Sequence, residues 1–239
     1  MQALWSDVVQ WLHTLGLHLD PGTAAAVSDS AARATASLDL PALMALAAAL
    51  GWASGFRLYA VVFLVGLMGA AGWLPLPPGL ALLQHPLVLG AAGLMLVVEF
   101  FADKVPWLDS AWDAVHAFIR VPAGALLAAG VFGADAGAMA VVAGLLGGSL
   151  SATALATKMT TRAAANTSPE PFSNWGLSFF EDGLVVAVVW LATQHPVAFG
   201  IALAVMLVVS VLLLVVLFRF LRAVLRRVSS LFSGSAKVA

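Results

Sequence analysis

The chain has 239 residues, 62% of them hydrophobic and 10% charged, with a formal net charge of −1. Soluble domains carry about a quarter charged residues, so a water-soluble globule is excluded, and the near-zero net charge gives no basis for a nucleic-acid partner. The absence of cysteine rules out disulfides, thiolate metal sites and cysteine nucleophiles, and a mean hydropathy of +1.01 assigns the chain to a lipid bilayer.

Residues 1–36 read as an N-terminal extension. Ala3, Leu4, Val8, Val9, Trp11 and Leu12 recur at helical spacing around Asp7 and Gln10, which predicts a short amphipathic helix on the membrane surface. Residues 21–36 read as a linker, and no basic segment precedes a long apolar run, so no signal peptide is expected. A spanning helix needs about 20 apolar residues to cross a hydrocarbon core about 30 Å thick. From Leu38 to Leu76 only Asp39 and Arg57 are charged, which leaves room for two helices at 41–54 and 57–74, broken at Gly55-Phe56-Arg57. Pro75, Pro77, Pro78 and Gly79 close that pair, and Pro86 opens a third helix to about Lys104.

Residues 107–120 are amphipathic and 121–133 are too short to span alone, so 105–135 is predicted to be a connector on the membrane surface. A seventh span built from 112–133 is the alternative. A fourth helix is expected at 136–157, a polar loop at 158–174, a fifth helix at 176–193, a sixth at 196–218 and a basic tail at 221–239. The expected fold is an all-α bundle of about six transmembrane helices within residues 37–220. Arg219, Arg222, Arg226 and Arg227 follow the last span and put the C-terminus in the cytoplasm. Counting back through six spans places Lys158 and Arg162 on that side too, and Asp109 and Asp113 on the other.

Gln84-His85-Pro86 recurs as Gln194-His195-Pro196, and each opens an apolar helix with a Gly four residues beyond the proline. Upstream, FRLYAVVFLVGL (56–67) resembles FEDGLVVAVVWL (180–191). Their common order points to a duplication, with halves at 41–104 and 136–219. Three spans per half around a connector that does not cross would make the repeat inverted, as in many transporters.

Charges inside spans cost about 2.5–3.5 kcal/mol each on insertion scales and mark functional positions. Glu99 and Asp103 lie one turn apart on a helix face beside Lys104, a pair able to hold a hard cation or relay a proton. Glu181 and Asp182 open the fifth helix, and Arg57 follows Gly55 at the break. These six are the expected ion- or solute-binding residues. Lys158, Arg162 and Asn166 recur every four residues and could contact lipid headgroups or anions. His85 and His195 read as helix caps, and the stripe Asp109, Asp113, His116 as a solvated face. No phosphate-binding glycine loop, His-Glu-x-x-His or Gly-x-Ser-x-Gly occurs, so neither a catalytic residue nor a cofactor is expected. Gly144, Gly147, Gly148 and Ser149 suit close helix packing and would permit a homo-oligomer.

The combination Gly55-Phe56-Arg57-Leu58-Tyr59, His85-Pro86 with Glu99…Asp103-Lys104…Asp109, Arg120-Val-Pro-Ala-Gly124 and Asn166…Ser168-Pro169…Asn174…Ser178…Glu181-Asp182 resembles a bacterial multi-pass membrane family catalogued as a domain of unknown function. The resemblance covers about residues 40–220. It implies a shared membrane fold in a bacterial inner membrane and brings no activity with it. The function expected from the residues is a small transporter or channel-like protein for an ion or small solute. A scaffold held by internal ion pairs, or a lipid-active enzyme, is the alternative.

Overall fold

Asp39 starts the first helix by accepting the Ala42 amide at 3.1 Å, with Pro41 in the first turn. The computed structural model describes residues 39–105, 107–133, 137–167 and 171–234; the predicted surface helix within 1–36 lies outside them. Among the described residues all regular structure is helical: α1 (Leu40–Ala70), a 3-10 turn (Pro78–Gln84), α2 (Pro86–Ala102), α3 (Leu108–Phe132), α4 (Ala138–Ala165), α5 (Pro171–Gln194) and α6 (Pro196–Gly234). α1, α3, α4, α5 and α6 are long and apolar enough to cross a membrane. The 3-10 turn and α2, bent by 68°, make a sixth span if that pair crosses as one.

The expected set of spans is corrected in its first half. Residues 41–54 and 57–74 are not two spans: Leu40–Ala70 is two helical segments joined across a kink at Arg57 (φ −145°, ψ 79°), together long and apolar enough for one span. The break is where the sequence placed it, but one non-helical residue bends a helix without reversing the chain. The predicted surface connector is also corrected, because 108–132 is a continuous 25-residue helix through Pro122. Its amphipathic stripe faces the protein, where Asp109, Asp113 and Arg120 are fully buried. The expected polar loop shrinks, since α4 continues to Ala165 and α5 begins at Pro171.

α1 is central. Half of its most apolar stretch is buried against other helices, compared with 6% in α6. Glycines allow this crowding: a Cβ on Gly51 would stand 2.5 Å from Gly147 Cα, and one on Gly124 2.7 Å from Ser151 Cβ. A Cβ on Gly55 would run into the Ser151 carbonyl oxygen. Gly144, Gly147 and Gly148 therefore serve packing of α4 against α1 and α3 within one chain.

The Gln-His-Pro repeat pairs α1–α2 with α5–α6. Two helices lie between the pairs, so if all six cross, paired helices run in the same direction. An inverted relation needs a different count of crossings in the first half.

Candidate functional site

Where α1 breaks, its backbone groups need new partners. The carbonyl of Phe56 accepts from Lys158 Nζ at 3.2 Å, so a cation from α4 takes up an acceptor at the break. The Arg57 side chain, fully buried, then reaches two other helices. Its Nη1 lies 2.8 Å from Asp103 Oδ2 at the end of α2. Its Nη2 donates to Ser178 Oγ at 2.8 Å on α5, and its Nε lies 3.1 Å from Asp182 and 3.8 Å from Glu181.

Arg162 of α4 is the second centre. It donates from Nε to Glu181 Oε1 at 3.2 Å and from Nη2 to Glu181 Oε2 at 2.7 Å, a bidentate pair. Its Nη1 donates to the Asp103 carbonyl at 2.7 Å and the Asn174 carbonyl at 3.3 Å, and lies 3.8 Å from Asp109. Lys158 Nζ is 3.3 Å from Asp103 and 3.1 Å from Asp113. Arg120 of α3 donates to Asp113 at 2.7 Å and to Glu99 Oε1. Asn166 donates to Asp109 at 2.9 Å and accepts from Asn174 at 2.7 Å. Burial alone would raise the Asp103 carboxyl, but Lys158, Arg57 and Arg162 outweigh it and hold the group below the ordinary carboxylate range.

The structure thus gathers Arg57, Glu99, Asp103, Glu181 and Asp182 into one network with Lys158, Arg162 and Asn166. These last three are buried. Asp109 and Asp113 meet Lys158 and Arg162 directly, which overturns their expected separation across the membrane and the solvated reading of their stripe. The start of α3 and the C-terminal end of α4 therefore lie together, with Asn166 bonded to Asp109 and Ser110. Lys104 sits at the edge of the network, where it acts electrostatically on Asp182 and Asp103: its Nζ donates to the Phe100 carbonyl at 3.1 Å and sits over that residue's ring. His85 caps α2, its Nδ1 accepting the Leu87 amide at 3.2 Å. Sequence reasoning passed over Arg120 as a site residue. Its signal was present, since 109, 113, 116 and 120 fall on one helical stripe.

Two cavities flank α2. One of about 490 Å³, between α1, α2 and α5, is lined by apolar residues such as Phe63, Leu96 and Val186, with Asp182 at its edge. The other, of about 620 Å³, lies between α1, α2 and α3 and reaches Tyr59 and His85. Among the described residues no group of three or more His, Cys, Asp or Glu is arranged to hold a metal ion.

The network runs from Arg57 to Asp182, and the family described as Domain of unknown function (DUF4126) matches residues 44–216, which enclose it. The chain belongs to this family. No curated protein and no solved structure matches the chain. The family description names no activity.

Proposed function

We propose that this family member is a small membrane transporter or channel-like protein for an ion or small solute, with the buried carboxylates as its polar site. The observation that carries this reading is the position of Asp182. It is bonded to Arg57 in the dry network, is 30% exposed and borders the 490 Å³ cavity, so it joins the buried charges to a way in. α2 carries Glu99 and Asp103, packs mainly on α1 and has a cavity on either side. Its displacement would expose the carboxylates in turn, by helix movement of the kind used at broken-helix sites.

The test uses purified protein in vesicles. Flux of protons, sodium and potassium is followed with ion-sensitive dyes, and small-solute entry by swelling. Flux above that of empty vesicles, reduced at least about tenfold in Asp182→Asn, is expected for a residue on an ion pathway. Vesicles as tight as empty ones to every probe would refute the reading. The scaffold alternative draws on one observation, that each of the four buried cations already meets at least two partners, and it predicts those tight vesicles.

We also infer a bacterial inner-membrane location with the C-terminus in the cytoplasm, from the arginines that follow the last apolar stretch. Because the chain has no cysteine, a single one introduced as Ala239→Cys reports orientation without background. It should resist an impermeant maleimide in intact cells and react after lysis. Labelling of intact spheroplasts at full rate would reverse the topology.

A further inference from the structure

The buried ionic network does not balance. Among the described residues, Glu99, Asp103, Asp109, Asp113 and Glu181 are five buried carboxylates, whereas Arg57, Arg120, Lys158 and Arg162 are four buried cations. At the partly exposed edge of the network Asp182 and Lys104 act on each other electrostatically, and their opposite charges leave the difference unchanged. An uncompensated ion in a low-dielectric interior is costly, and a buried carboxylate escapes that cost by taking up a proton.

The contacts single out which carboxylate holds it. Asp103 lies near three cations, Arg57, Lys158 and Arg162. Asp113 has Arg120 and Lys158, and Glu181 has both prongs of Arg162 with Lys158 and Arg57 nearby. Asp109 sits in the first turn of α3, accepts the Ser110 amide at 2.6 Å and Asn166 at 2.9 Å, and lies 3.8 Å from Arg162 Nη1. Glu99 forms an ion pair with Arg120 alone, through Oε1, and Arg120 is shared with Asp113. Its other oxygen, Oε2, is buried with no hydrogen-bond partner in the structure. Asp103, Asp109 and Asp113 each also have one unbonded oxygen, but each has the cations or fixed donors that Glu99 lacks.

We propose that the network binds one proton, at Glu99, and so is neutral at physiological pH. The titratable or charged groups around that carboxyl are Arg57 and Tyr59 of α1, Asp113, His116 and Arg120 of α3, Lys158 of α4 and Asp103 at the end of its own helix. Within the transport reading this makes the proton the coupling ion. The bound proton itself rests only on the contacts and the charge count, and holds whether or not the protein transports anything.

Infrared spectroscopy tests it, because a protonated carboxyl has a carbonyl stretch separate from those of carboxylates and amides. Protein in lipid at neutral pH should show one such band. It should shift when glutamate is carbon-13 labelled, stay when aspartate is labelled, vanish in Glu99→Gln and survive in Asp182→Asn. A band that follows the aspartate label, or persists in Glu99→Gln, would overturn the assignment. So would no band at all, which would put the balancing charge on His116 or leave the network charged. These outcomes are independent of the flux assay: the band can appear in vesicles that transport nothing, and be missing from vesicles that do.

Discussion

Arg162→Met should lower the unfolding free energy by about 3–5 kcal/mol, the range seen when one partner of a buried ion pair is removed. The side chain is fully buried and donates to both oxygens of Glu181 and to the carbonyls of Asp103 and Asn174. Methionine fills much of the same volume but leaves Glu181 short of a bidentate partner and removes one donor from each of two carbonyls. Steady unfolding in mixed micelles, followed by circular dichroism, would measure the loss. Asp182→Asn is the comparison. Asp182 is 30% exposed and pairs with Arg57, which keeps Asp103 and Ser178, so its change should stay below about 1 kcal/mol. Equal small effects from both variants would mean that water reaches Arg162 and that the network is not dry.

Gly55→Val should also be damaging, for a different reason. A Cβ there meets the carbonyl oxygen of Ser151 and comes within 2.7 Å of Ala154 Cβ. Backbone cannot rotate away as a side chain can, so α1 and α4 must separate. Overpacking in a filled core costs about 1–3 kcal/mol and sometimes more. Here separation also pulls Lys158 from the Phe56 carbonyl. The expected result is poor recovery of monodisperse protein and a lower midpoint of thermal unfolding. Gly90→Ala, where an added Cβ has nothing within 4 Å, should behave as the parent protein. A monodisperse Gly55→Val protein of parental stability would show that this helix contact is loose.

The sequence revealed the all-helical membrane fold because long apolar runs have few other solutions. It also revealed the break at Arg57, where a glycine and a charge interrupt an apolar run. What it could not reveal was partnership. Arg57 meets Asp103 and Ser178, which lie far along the chain, and local spacing carries no information about either. α3 was misread for a related reason. A helix with one charged stripe looks the same whether that stripe faces water or a charged protein interior, and the second case places Asp109, Asp113 and Arg120 in the core. The same ambiguity made Lys158 and Arg162 look like loop residues, although their four-residue spacing continues α4.

The charges of the network also follow an order along the chain, which bears on how the protein is made. Arg57 enters on α1, and Glu99 and Asp103 follow on and just after α2. Asp109, Asp113 and Arg120 come with α3, Lys158 and Arg162 with α4, and Glu181 and Asp182 with α5. From α2 onward, each newly synthesised helix brings a charge opposite to one already waiting. Arg57 of α1 enters unanswered, Glu99 of α2 waits for Arg120 of α3 and Asp109 of α3 for Arg162 of α4, and α6 arrives last with an apolar stretch that needs no ionic partner. The ribosome therefore delivers the helices in an order in which each one from α2 to α5 answers a charge already in place, and the membrane insertion machinery has to shelter the charges still waiting: Arg57 until α2 emerges, Glu99 until α3 and Asp109 until α4.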